Sequence, residues 1–520
     1  MVLLSNVSFY FSPNLIESGD DALNSIKVEN AKHFTEYLGP YSRFGFFHPG
    51  PISFYYLAFA EPFLRFVPTL FGRYLVAQLL LNSLWLCVVA NVGRRIWGKP
   101  YLWFLLWFLI PLQMVFLAGG SPILLSSIWG PTVVIIPVAV FVLCASQIFW
   151  GDLTLLPVAA LAAVFAVHNH LATVVVVVPL SIFVTVSWIY KLKSKGYLSG
   201  FIPRGRGKTV LLSLTFAVIV ITSFPPVYEE ISGSAGNISR IISFLASEDR
   251  NPHAWKEVAV KLSRSLTDPW VVLTKGHFAA TTRLRLATGL VLLLLAASVQ
   301  QFRKGKKNLK SFIVLTWLSL ALSAFGARFV MDELYPYLFH FVYGLVGFLC
   351  FFGIKELWEF WESHWHWWPR FLRSPVLGVI LLGCVVLVWV RSHAIEPPPR
   401  VDHFERMTTT FSLPRDEAVF IYWGNREEEH RLWVEVSSLA MQFIRDGYRV
   451  CVPDGRIYLF GEKFRCRHDT HRISLIFTRR HPNAGVSNYL AFDDYGVFVV
   501  ESMNTSPADF LANSSFVPSD

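Results

Sequence analysis

Residues 128–150 read IWGPTVVIIPVAVFVLCASQIFW, a run without a single Asp, Glu, Lys, Arg or His. A helix rises about 1.5 Å per residue and the hydrocarbon core of a bilayer is about 30 Å thick, so the run is long enough to span. Pro131 and Pro137 are no obstacle, because neighbouring helices can satisfy the backbone groups that a proline frees. Working outward, similar apolar runs lie at about 72–92, 101–118, 153–168, 170–190, 209–226, 284–302, 311–330, 335–356 and 375–391. The expected fold is mainly α and polytopic, with about ten transmembrane spans. Residues 153–190 are read as two helices, since His168-Asn169-His170 interrupts the apolar pattern at its middle.

Composition agrees. Apolar residues make up 53% and charged residues 16% of the chain, and the mean hydropathy is +0.45. Soluble domains carry about 25% charged residues, so the balance points to lipid. The net charge of +10 does not indicate a nucleic-acid surface, because the basic residues cluster in short loops between apolar runs. Those loops hold Arg94, Arg95 and Lys99, then Lys191 to Lys208, then Arg303 to Lys310. Threading ten spans puts all three on one side, the cytoplasmic one. Residues 119–127, 168–170, 227–283 and 331–334 then face outward, as do both ends of the chain.

Three regions follow. Residues 1–71 form an outer first loop with juxtamembrane helices. Residues 72–391 form the membrane domain, with a large outer loop at 227–283, and residues 392–520 a small extracytoplasmic α/β domain after the stiff Glu396–Pro399 linker. Residues 1–12 are apolar but too short to span and lack the features of a signal peptide, which suggests a truncated first span. In the C-terminal region, strands are expected at 417–423, 448–453, 457–460, 473–478 and 496–501. A helix is expected at 429–446, with Trp433, Val436, Ala440 and Phe443 on one face. The Trp-rich stretch from Trp358 to Trp368 reads as an interface belt. Cys87, Cys144, Cys350 and Cys384 sit in apolar runs and read as small hydrophobes. Cys451 and Cys466 fit either a disulfide or two free thiols, since pairing depends on geometry.

Four outward-facing sets carry polar chemistry. Residues 17–51 combine Asp20, Asp21, Arg43 and the proline-locked turn His48-Pro49-Gly50-Pro51. Asp20 and Asp21 also suit the cap of a helix beginning there. However, the aromatic run from Tyr41 to Tyr56 exceeds what a solvated loop requires. The second set is His168, Asn169 and His170, polar groups at the outer end of paired helices. The third lies in PPVYEEISGSAGN, with Glu229 and Asn237, and the fourth is Arg328 with Asp332, Glu333 and Tyr335. No metal-ligand spacing stands out, so metal dependence stays open.

YSRFGFFHPGPISFYYLA, SIWGPTVVIIP, the HNH turn and PPVYEEISGSAGN together resemble the polyprenyl-phosphate-dependent GT-C membrane glycosyltransferases. The likeness is to bacterial members related to protein mannosyltransferases and arabinosyltransferases, and it runs through most of residues 17–340. It implies a bacterial plasma-membrane enzyme with an extracytoplasmic active face. Such an enzyme inverts the sugar as it moves it from a polyprenyl-phosphate donor onto a glycan, lipid or protein acceptor. The family uses an acid of the first outer loop as general base, which here is Asp20 or Asp21; the pair is DD where some members have DE. Binding of donor or its phosphate would fall to Arg43, His48, His168, Asn169, His170, Glu229, Asn237 or Arg328. Two readings from other classes compete. A transporter or flippase for a lipid-linked saccharide requires charges within the spans and repeated broken helices, which this sequence lacks. A non-catalytic scaffold of an envelope-glycan assembly would use the C-terminal domain for docking.

Overall fold

The computed structural model describes residues 6–97, 125–194, 206–232, 236–247, 251–274, 279–364, 403–411, 413, 418–423, 432–466, 472–478, 489–492 and 495–501. The expected spans at 101–118 and 375–391, Lys99, most of the basic loop after the fifth span, Cys384, the Glu396–Pro399 linker and most of the Trp358–Trp368 side chains lie outside them.

Helices dominate. Numbering the longer ones in chain order gives α1 Gly19–Lys32, α2 Ile52–Ala60, α3 Leu70–Trp97, α4 Ile135–Ile148, α5 Leu156–Asn169, α6 Val174–Ser194 and α7 Arg206–Ser232. There follow α8 Asn237–Ala246, α9 Trp255–Thr274, α10 Ala280–Lys304, α11 Lys307–Ala327, α12 Val342–His364, α13 His403–Phe411 and α14 Trp433–Arg445. Among the described residues six helical stretches are long and apolar enough to cross a membrane: Leu70–Trp97, Gly130–Ile148, Leu171–Tyr190, Thr209–Ser232, Ala280–Lys304 and Lys307–Ala327. Each coincides with an expected span. The stretch Gly130–Ile148 is buried throughout by its neighbours, whereas Thr209–Ser232 turns most of its surface outward, including Phe216, Ile221 and Phe224. A helix that exposes such a face is stable only against an apolar medium.

Two expected spans differ in extent. Helix α5 with the turn before it, Leu153–Asn169, is shorter than the six. Helix α12 ends in Lys355, Glu356 and Glu359, which bind back to Gln301 and Lys304 of α10. Helix α7 continues through Pro225 and Pro226 to Ser232, so Glu229 belongs to its last turns rather than to an open loop.

The C-terminal sheet has the order β2-β1-β3-β5-β4, with β1 Ala418–Trp423, β2 Arg449–Cys451, β3 Arg472–Thr478, β4 Tyr489–Ala491 and β5 Gly496–Glu501. Strands β2, β1 and β3 run parallel, β5 runs antiparallel to β3, and β4 runs antiparallel to β5. The expected strand at 457–460 is instead a turn of helix, Ile457–Phe460. Gly461 at φ +105° ends it, and the Gly461 N–H donates to the Ile457 carbonyl. Ile-Tyr-Leu-Phe has strand-favouring side chains, but four residues are too few for periodicity to separate the two states. Cys451 and Cys466 form a disulfide, with Cα atoms 5.0 Å apart.

Ala22, Leu23 and Ile26 of α1 are buried in one core with Val436, Leu439 and Ala440 of α14. The first loop and the C-terminal domain are therefore packed as one body around α1. Ion pairs of Arg445 with Glu17 and Glu29 reinforce the joint, and Lys463 donates to the Asn30 side-chain oxygen.

Candidate functional site

The loop after α1 folds back as a hairpin. Gly39 N–H donates to the His48 carbonyl at 2.9 Å, His48 N–H to Pro40 at 2.8 Å and Ser42 N–H to Phe46 at 2.9 Å. Gly45 turns the tip at φ +79°. Gly39 is required where this hairpin crosses the HNH turn: a Cβ there would stand 2.4 Å from the His168 carbonyl, 2.8 Å from that of His48 and 2.9 Å from that of Gly50. No side chain fits against three backbone oxygens at such distances.

Three neighbours fix the hairpin. The Asn237 side chain accepts from Phe47 N–H and donates to the Phe47 carbonyl, both at 2.8 Å. Arg43 at the tip donates to the carbonyls of Met331 at 3.3 Å and Glu333 at 2.9 Å, and its guanidinium lies over the rings of Phe44 and Tyr335. Leu171 N–H donates to Nδ1 of His48 at 3.1 Å. That last bond places the proton of neutral His48 on Nε2.

Between the hairpin, α1, the start of the 130–148 helix and the 335–339 turn lies a cavity of about 260 Å³. Asp20, Asn24, Tyr41, Arg43, His48, Trp129, His170, Tyr337 and Trp433 line it. Asn24 donates to the Ile128 carbonyl at 3.2 Å and so holds α1 over the entrance to α4. The Tyr41 hydroxyl and the Trp129 indole N–H both bond the Asp20 carboxylate. Burial nevertheless raises the Asp20 pKa, with those bonds opposing the shift. His170 donates from Nε2 to the Leu338 carbonyl at 3.1 Å and meets His48 edge-on, with ring centroids 5.3 Å apart. Burial and the adjacent His170 hold His48 well below the usual imidazole range, so it is a neutral N–H donor at neutral pH.

Asp21 is placed differently. It does not line the cavity, and its Oδ1 is enclosed without a hydrogen-bond partner. Burial, then the charges of Asp20 and Glu17, push its pKa up to about 7. From the usual carboxyl range up to about pH 7 the folded chain therefore keeps a proton that the unfolded chain releases. Stability should fall as pH rises through that window, by at most about 1.4 kcal/mol per pH unit. Asp21→Asn is expected to flatten this slope, read as thermal midpoint against pH from 4.5 to 7.5 in detergent. An unchanged slope sinks the assignment.

Of the other candidates, His168 packs under Gly50 and Asn169 is spent on Ser53 and Phe165. Glu229 accepts from Asn237 N–H, and Arg328 lies over Trp255. All four stand outside the cavity. Conversely, Asn24, Tyr41, Trp129, Tyr337 and Trp433 line it although the sequence did not single them out as site residues. Trp129 lies in a quoted motif and Tyr41 in the aromatic run. Trp433 read only as one position on an apolar helix face.

Across Ser42, Phe44, His48, His170 and Leu338, which line both, the cavity adjoins a second space of about 430 Å³. Its walls are almost wholly apolar and come from α6 (Val175, Pro179), α8 (Phe244, Leu245) and α11 (Leu322, Phe325). Leu245 and Phe325 are at least half exposed, at 50% and 56%, so the groove lies at the outer surface of the helices. Among the described residues no group of three His, Cys, Asp or Glu side chains converges as a metal site. No protein-family model matches the chain, and neither does any curated protein.

Proposed function

We infer that the chain is a membrane glycosyltransferase that moves a sugar from a polyprenyl-phosphate donor to an acceptor hydroxyl, with Asp20 as general base. The observation that carries this reading is the junction of a carboxylate-bearing cavity with an apolar groove between membrane-length helices. An isoprenoid chain suits the groove, since burial of apolar area is worth about 25 cal/mol per Å² and needs no polar partner. Its phosphate then falls at the shared rim, where the Nε2–H of His48 is available for an anion, with the Arg43 charge on the adjoining cavity wall.

The chemistry follows from that order. Asp20 takes the proton of the acceptor hydroxyl as its oxygen attacks the anomeric carbon. The bond from that carbon to the phosphate oxygen breaks on the opposite face, and the configuration inverts. Polyprenyl phosphate leaves as an anion, so no general acid is required. A carboxylate whose pKa is raised toward neutrality is a better base than an ordinary one, provided it stays ionised.

The test is incubation of the purified chain with polyprenyl-phosphate hexoses and pentoses, followed by mass spectrometry of added hydroxyl acceptors and of the released lipid phosphate. Transfer with inversion supports the reading. Movement of the intact lipid-linked sugar across vesicles without cleavage would instead make the chain a carrier.

A further inference from the structure

We propose that the acceptor is a carbohydrate and that Trp433, delivered by the C-terminal domain, is the stacking wall that positions its ring; this rests on the transfer reading above. The cavity has two ends. The end shared with the groove is bounded by Ser42, Phe44, His48, His170 and Leu338. A donor whose lipid fills the groove occupies that end. The residues that line the cavity but not the groove include Asp20, Asn24, Tyr41, Arg43, Trp129 and Trp433.

The pairing of groups at this second end selects the ligand class. Two indoles stand with a carboxylate and an amide, and the Trp129 N–H is committed to Asp20. A sugar ring offers both surfaces that such walls require: C–H faces for the aromatic rings and hydroxyls for the polar groups. A purely apolar acceptor would offer Asp20 no hydroxyl to deprotonate and would displace water from this polar end without replacing its hydrogen bonds.

Trp433 is held in place by the helix that carries the base. Ser437 one turn on donates to the Gly19 carbonyl at 3.3 Å, and a Cβ on Gly19 would lie 3.2 Å from the Trp433 ring. Gly19 also adopts φ +56°, so the sequence provides glycine where the indole must approach. The indole thus sits next to Asp20, closing the cavity on the side where an acceptor must arrive. On this account the C-terminal domain is part of the site rather than an appendage.

The experiment uses the full chain in detergent with two variants, Trp433→Ala and Trp433→Phe. Calorimetry with soluble methyl hexosides, methyl pentosides and short oligosaccharides measures binding without any donor. At least one of these should bind, weaken tenfold or more in Trp433→Ala, and recover within about threefold in Trp433→Phe. In the transfer assay the acceptor KM should rise similarly in Trp433→Ala while the donor KM stays within twofold. Sugar binding that depends on Trp433 but without any transfer would retain the acceptor site and defeat the transfer reading alone. Overturning results are failure of every sugar to bind the unaltered chain, an acceptor KM indifferent to Trp433, or donor and acceptor KM rising together. Thermal midpoints of both variants separate loss of the wall from loss of domain packing.

Discussion

Asp20→Asn is expected to lower transfer about a thousandfold, in the range that removal of a positioned general base produces, while the fold stays intact. The amide keeps the shape of the carboxylate and can still accept from Tyr41 and Trp129, so the walls of the cavity need not move. What it cannot do is take the acceptor proton. Donor KM should be little changed, because Asp20 is not among the residues of the rim shared with the groove, where His48 lies. Asp21→Asn should retain most of the activity, since Asp21 stands outside the cavity. Single-turnover transfer with both variants and a melting curve for each decides the matter. Full activity in Asp20→Asn, or equal loss in both, would sink the assignment of the base.

The membrane-length helices were legible because their signal is local: about twenty consecutive apolar residues read the same way in any context. The same holds for the parallel strands at 418–423 and 472–478, which read as short, mostly apolar runs of the kind that a strand buried on both faces requires. The site was legible only in part. Asp20, Arg43, His48 and His170 were visible as polar groups in apolar or proline-locked surroundings, and they do share one cavity. Asn237 and Glu229 gave the same kind of signal for another reason. They tie α7 and α8 to the hairpin, and a buried polar group that holds backbone resembles, in sequence, one that holds substrate. Trp433 could not be found this way. It lies 413 positions from Asp20 in the chain, and nothing in the heptad around it distinguishes a core face from a cavity wall.

The domain packing explains why those distant residues meet. A site bounded by a hairpin, α1, the start of the 130–148 helix, the 335–339 turn and one residue of the C-terminal domain is only as precise as the contacts fixing its parts. Here the contacts are mostly single side-chain-to-backbone bonds: Arg43 to residues 331 and 333, Asn24 to Ile128, His170 to Leu338 and His48 to Leu171. Each is worth about 1 kcal/mol in isolation. The hairpin therefore depends on a stronger anchor at its base.

That anchor is the Lys27–Glu36 pair, and Lys27→Met is expected to destabilise the chain by about 3–5 kcal/mol. The two side chains are 3.1 Å apart and 4% and 8% exposed. Lys27 also stands over the Phe47 ring, 4.3 Å from its centre, which links α1 to the far strand of the hairpin. Glu36 accepts in addition from Asn30 at 2.9 Å and from Leu38 N–H at 3.2 Å, and its carbonyl accepts from the Tyr55 hydroxyl at 2.8 Å. Removing the ammonium leaves a buried carboxylate hydrogen-bonded only by neutral donors, with the Lys463 ammonium on Asn30 as its remaining cationic neighbour, and the penalty is that of a poorly compensated charge rather than of the lost contact. The double variant Lys27→Met/Glu36→Gln should then recover part of the loss, because the buried charge is gone and the amide oxygen still serves one of the two donors, Asn30 or Leu38. Thermal and denaturant midpoints of the three variants in one detergent measure this. A single Lys27→Met change that melts with the unaltered chain, or a double variant no better than the single, would show that the hairpin is held by its backbone bonds and not by this pair. If the pair is the anchor, the destabilised variant should also lose acceptor affinity before it unfolds, since Tyr41, Arg43 and His48 all ride on the segment that Glu36 fastens.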